Sequence, residues 1–413
     1  VLGHEPFLER ARLQREQEHD GSARLALGAY VVARLVDRLL TLDQDPAGVA
    51  AFQWQLEAVR RHLCELPPHV PETAHLAGVV QAIPASGERT SAVWMSLRAY
   101  AYFLEHEGRL EESLEVLMLA ARAQGSNTSC ADFTSYALGA ARLNRQLARW
   151  ETANACYNAA EEAAGSVGDS VAALRGRLGR GAVCRGLGNL PMAREIAEDV
   201  VKEASERDLP AVQALAYADL GAVYALQGLR LEELRANYMA FRLTPDPVQR
   251  MRTLGDLGIG LYRIGALQAA RTAFDIVIKS DTSFVVRMNA LLELMDLESG
   301  AGNRVAFERC RNLIERNRTE LVPVVATDYQ YKVGIGFSRF GQLSRAHDAL
   351  AKGLELAERH RLNLWYFTIQ TAIAELVERR EPVAAPHATA LSEAPEVLEM
   401  ELGLQEYATA TTV

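Results

Sequence analysis

The chain has 413 residues, 49% of them apolar and 23% charged, with a net charge of −9 and a pI of about 5.6. That length fits two or three ordinary domains or one long repeat array, and the apolar fraction lets most of it fold. The acidic balance argues against nucleic acid as the main partner, because a phosphate backbone demands a basic face. No apolar run approaches the length of a membrane span. Cys64, Cys130, Cys156, Cys184 and Cys310 are scattered, with no two at metal-ligand spacing, as expected of thiols in a reducing compartment. The N-terminal "VLGHEPFLERARLQREQEHDG" is charged and has no signal-peptide core. The expectation is a soluble, cytoplasmic protein with no membrane and no nucleic-acid partner.

In chain order, residues 1–21 read as an N-terminal helix or flexible arm. Residues 22–90 read as divergent helical units: "SARLALGAYVVARLVDRLLTL" places Leu25, Val32, Leu35, Val36 and Leu39 on one stripe. A helix-turn-helix DNA reader here lacks its short turn and basic recognition helix. His62, Cys64, His69 and His75 crowd together in "RHLCELPPHVPETAH", but at the spacing of no standard zinc site. We expect no metal.

A repeat begins near residue 91. Taking Gly258 as anchor, Gly265 follows seven residues later, then Leu267, Ala270, Phe274 and Val277. The same order starts at Ala101, Ala141, Gly181, Gly221 and Gly334. The anchors are separated by 40, 40, 40, 37 and 76 residues, and the last gap holds two units, the second degenerate with Gly302 as its turn. The expected repeats are 91–128, 131–168, 171–207, 211–245, 248–281, 284–318 and 324–360. Each reads as two helices joined at the second glycine, with no alternating pattern that would signal a sheet. Gly255, Gly258, Gly260 and Gly265 could suggest a phosphate loop, but no strand precedes them and none of the glycine runs matches GxxxxGK[ST]. Their spacing recurs at 181/188 and 221/228, which fits helix contacts and turns.

Residues 361–380 read as a capping helix, since the last unit of an array must cover its core. Residues 381–413 hold six acidic residues and no Lys or Arg. They form an acidic tail whose segment 395–407 is a candidate for docking in the groove of its own chain, or for self-association.

Together the small anchor, the glycine seven later, the large apolar residue, the alanine and the aromatic resemble the tetratricopeptide repeat (TPR) family. The longer units resemble TPR domains of bacterial signalling and transcription regulators, including those related to the maltose-system activator. The resemblance implies an all-α fold, an α-α superhelical TPR-like solenoid of about seven to nine helical hairpins. It also implies a concave face formed by the first helix of each hairpin. Carried onto this sequence, the groove positions are Arg98, Tyr102, Arg142, Arg145, Gln146, Arg175, Arg185, Arg252, Tyr262, Arg263, Tyr331 and Arg339, with Leu215, Ala222 and Leu226 between them. Arginine pairs bidentately with carboxylates. The expected function is therefore a non-enzymatic scaffold binding an acidic peptide or protein segment, without cofactor. The alternative is a regulatory sensor for a small effector or signalling peptide. No catalytic set is placed by any local motif.

Overall fold

The computed structural model describes residues 3–16, 20–42, 45–84, 86–87, 90–125, 128–316, 321–360, 362–378 and 390–411. Residues 381–389 of the acidic tail lie outside this set. Among the described residues there are twenty α-helices and no strand. Two compact units divide the chain, Val1–Leu187 and Gly188–Val413.

The first unit holds α1 (Glu5–Glu16), α2 (Asp20–Leu40), α3 (Pro46–Cys64), α4 (Pro71–Gln81), α5 (Ser91–His106), α6 (Leu110–Gln124), α7 (Cys130–Gln146), α8 (Trp150–Ser166) and α9 (Ser170–Gly186). The second holds α10 (Leu190–Glu206), α11 (Pro210–Gln227), α12 (Arg230–Leu243), α13 (Pro247–Arg263), α14 (Leu267–Lys279), α15 (Phe284–Gly300), α16 (Arg304–Arg316), α17 (Pro323–Arg339), α18 (Leu343–Arg359), α19 (Asn363–Val377) and α20 (Pro395–Thr411).

Local chemistry sets the helix ends. Asp45, Ser129, Asp169, Asn189, Asp246 and Ser283 each accept a hydrogen bond from the backbone N–H three residues on, satisfying a donor that the first helical turn leaves free. Prolines begin α3, α4, α11, α13 and α17, where a missing N–H costs nothing. Six hairpin turns then repeat one bond, in which an amide donates to the carbonyl five residues back. The pairs are Arg109–Leu104, Arg149–Asn144, Leu229–Tyr224, Ala266–Leu261, Asn303–Glu298 and Gln342–Phe337, at 2.8 to 3.0 Å. This Schellman closure needs a left-handed residue just before the donor. Glycine fills that place in five turns, such as Gly265 at φ 81°, and Ala148 fills it in α7/α8 at φ 56°.

The glycines inside α13 do a different job. A Cβ on Gly258 would sit 2.6 Å from the Phe274 ring of α14, and one on Gly260 would sit 2.8 Å from Leu234 of α12. Gly334 and Gly336 likewise abut Leu350 and Phe307. One glycine lets the two helices of a hairpin close, and the next lets that hairpin seat on the preceding one. They are contact points, not a phosphate cradle.

Around these contacts the second unit buries Leu254, Leu257, Leu261, Phe274, Met295 and Phe307 in one continuous core. The first unit does the same with Phe7, Val36, Phe52, Leu76, Leu97 and Leu119. Phe7 and Ala11 hold α1 on this core, so the described part of the N-terminal arm is a packed helix. Its anchor is a buried ionic cluster. Glu72 of α4 accepts hydrogen bonds from Arg109 at 2.8 Å, Tyr100 at 2.7 Å and Arg10 at 3.0 Å, and Arg109 also meets Glu112. Three helices and the α5/α6 turn are tied together at one carboxylate.

In the second unit α13, α15, α17 and α19 pack side by side, while α12, α14 and α18 stand behind them. The tail helix α20 does not enter the face made by the first set. It lies on α12 and α14, with Val397, Met400 and Leu404 buried, Tyr407 edge-on to Phe241 at 5.2 Å, and Glu396 paired with Arg235 at 2.7 Å. The segment expected as a candidate for groove docking thus rests on α12 and α14 in this structure. Its apolar stripe finds matching aromatic surface on the second helices of the hairpins.

Candidate functional site

In the first unit the expected groove residues of α5 and α7 do come together. Arg142 donates to both Glu105 oxygens, at 2.7 Å each, and its guanidinium lies 5.8 Å from the centre of the Tyr102 ring. Gln146 donates to the same carboxylate at 2.9 Å. Arg98 donates to Ser135 at 3.1 Å and stacks over Trp94. Burial works against ionisation of Glu105, but Arg142 outweighs it and holds the carboxyl below its ordinary range. The cleft left between α5, α6 and α7 measures about 20 Å³, room for one or two waters. These side chains satisfy each other. Arg145 is half-buried with an unpartnered Nε, Arg175 is exposed and Arg185 is half-buried.

The second unit differs. Tyr262, expected to face a ligand, is buried, and its hydroxyl points to the carbonyl oxygen of Asp296, 3.5 Å away at the geometric limit. Position four after the anchor falls in the seam with the next hairpin. Arg263 pairs with Glu233 at 3.1 Å, and Arg339 with Asp296 at 2.7 Å and Ser299 at 2.6 Å. These arginines rivet neighbouring hairpins. Tyr331 leans on Trp365 of α19, with ring centres 5.7 Å apart. Of the expected set, Arg252 is exposed at the edge of a real cavity.

That cavity, about 420 Å³, opens between α13, α15, α17 and α19. Its walls include Met251, Ile259, Val286 and Val325, and Trp365 stands on one side. Polar groups reach it from three helices: Asp256 from α13, Asn289 and Glu293 from α15, and Asp328 from α17. Lys332 Nζ lies 2.6 Å from Glu293 and 3.0 Å from Asp328. Gly255 lines the same space, and a Cβ there would meet nothing within 4 Å.

The electrostatics follow from this enclosure. Asp256 is reached by solvent yet walled in by neighbouring helices, as on a concave surface. Crowding by protein lifts its carboxyl to about 6; Arg252 and Arg263 oppose the rise and Glu293 adds to it. Burial also pushes Glu293 and Asp328 up, against the pull of Lys332. The same two carboxylates raise the Lys332 ammonium despite its burial.

Most of these residues were missed in the sequence, although a signal exists. With anchors at 258, 295 and 334, the position six before the anchor is Arg252, Asn289 and Asp328, and the position two before it is Asp256, Glu293 and Lys332. The second row was not among the expected groove positions, and Met295 hides its anchor because it is not small. Elsewhere His75 packs on Phe103, with ring centres 4.7 Å apart. Among the described residues no cluster of three His, Cys, Asp or Glu could hold a metal, and no helix is long and apolar enough to cross a membrane.

No protein-family model matches the chain, and no curated protein does. Solved structures do resemble it. The apo form of the quorum sensor NprR from B. thuringiensis superposes with a TM-score of 0.50 at 14% identity, over 84% of this chain and 91% of that one. NprR in complex with its cognate peptide NprX gives 0.48 at 14% identity over the same shares. A Rap protein complexed with competence and sporulation factor gives 0.47 at 11% identity, over 86% of this chain and 98% of that one. With the helix pairing and turn geometry above, the fold is an all-α TPR-like solenoid.

Proposed function

We propose that this protein binds a short peptide along the inner faces of α13, α15, α17 and α19 and acts as a peptide-responsive regulator. The carrying observation is the cavity of about 420 Å³, which combines apolar walls with polar groups converging from three consecutive hairpins. That mixture is what a ligand pocket needs, apolar area for affinity and a few placed polar groups for orientation. Asn289 offers an amide that can both donate to and accept from a peptide backbone. Similarity in fold to a quorum sensor agrees with the reading; the cavity carries it. A pocket of this size favours the sensor over the scaffold, because a scaffold needs a long open surface. Three of the arginines expected to meet an acidic ligand, Arg142, Arg263 and Arg339, hold carboxylates of their own chain instead.

The test is retention of synthetic peptides by the immobilised full chain, read by mass spectrometry. Short peptides should be retained by the wild type and released by Asn289→Ala. Retention no better than on a blank column would refute the proposal.

A further inference from the structure

Resting on that reading, we propose that the cavity selects a peptide presenting an ammonium or guanidinium group beside apolar side chains. Three carboxylates, Asp256, Glu293 and Asp328, line the cavity, against one lining cation among the described residues, the exposed Arg252, with Lys332 beside it on Glu293 and Asp328. Lys332 is committed: its side chain is 12% exposed and it bridges Glu293 and Asp328. Neither cation makes a hydrogen bond to Asp256, which has no hydrogen-bond or ion-pair partner among the described residues. Asp328 spends Oδ2 on Lys332. Asp256 lines the cavity and is open to it, so its carboxylate can accept from a ligand that brings charged N–H groups.

The rest of the wall narrows the chemistry. An anion would meet three carboxylates. A divalent metal finds no cluster of three ligands among the described residues. An alkyl ammonium or guanidinium can lay its stem along Val286 and Val325 and place its head against Asp256, with Trp365 also on the cavity wall. The open side of Gly255 leaves room for the ligand to pass.

The test uses the full chain and a bead library of random N-acetylated hexapeptides, with a second library bearing free N-termini. Bright beads are sequenced for the wild type, Asp256→Asn and Glu293→Gln, and thermal unfolding checks that each variant folds. Lys or Arg should be enriched at one position by the wild type. For a selected peptide, Asp256→Asn should weaken binding about tenfold, the scale of one charge-assisted hydrogen bond. Enrichment in the free-N-terminus library alone would assign the cation to the peptide's amino end and supports the proposal equally. N-acetylated peptides captured without basic enrichment, or basic enrichment unchanged in both variants, would overturn this inference while leaving peptide binding intact. Capture of no peptide at all would overturn both.

Discussion

Glu72→Gln tests how the N-terminal helices are held. Glu72 is 3% exposed and receives hydrogen bonds from Arg109, Arg10 and Tyr100. Burial alone would raise its carboxyl, but Arg109, then the charge of Arg10 and the Tyr100 hydroxyl, bring it from 4.5 to about 2. That depression corresponds to about 3 kcal/mol favouring the charged form in the folded state. The amide keeps the shape and loses the charge, leaving Arg10 and Arg109 to share Glu112. We expect the first unit to lose about 3 kcal/mol near neutral pH, in line with breaking one side of a buried pair. Urea denaturation followed by tryptophan fluorescence reads it, since Trp54, Trp94 and Trp150 lie in this unit. The sign with pH is fixed. A depressed carboxyl stabilises above its unfolded value of 4.5, and the advantage over the variant disappears as pH falls from there towards 2. A loss under about 1 kcal/mol, the scale of an exposed ion pair, would refute the buried-cluster reasoning. So would a loss that persists unchanged into acid.

Four further outcomes are expected. Ala148→Gly relieves a left-handed alanine in the α7/α8 turn and should stabilise by up to about 1 kcal/mol in urea melts, against no change if the turn carries no strain. Gly258→Ala forces a Cβ against Phe274 and should cost about 1–3 kcal/mol, whereas a neutral effect would show that the hairpin can open at no cost. Asp256→Asn should stabilise near neutral pH by about 1 kcal/mol, because a full conversion of the rise to about 6 would give about 3 and solvent access screens most of it. A raised carboxyl costs stability as pH climbs from 3.8 to about 6, so the variant's gain should vanish below 3.8; a variant less stable than wild type would contradict this. Truncation after Ala394 removes the buried side chains of Val397, Met400 and Leu404 and should lower the thermal midpoint without changing peptide affinity; a rise in affinity would mean that α20 competes for the groove.

The fold was readable because its determinants are local. A glycine seven residues after a small anchor closes a hairpin, and Gly258, Phe274 and Gly265 lie within seventeen residues of sequence. The site was read less well because its determinants lie one repeat apart. Arg142 meets Glu105 at a separation of 37 residues, Lys332 meets Glu293 at 39 and Arg339 meets Asp296 at 43. A list of arginines on one helix face shows cations available for a ligand; the neighbouring hairpin supplies the acids that occupy them. Tyr262 shows the same limit. Its helix position is clear from the pattern, but whether it faces a groove or a seam depends on how the next hairpin seats. In the second unit the riveting Arg263 and Arg339 stand five after their anchors, whereas the cavity groups stand six and two before theirs.

The most direct measurement of the central claim is backbone hydrogen exchange of the full chain with and without a library-selected peptide. Slowed exchange concentrated in α13, α15, α17 and α19 is the predicted result. Protection confined to α12, α14 and α20, or to the first unit, would contradict it.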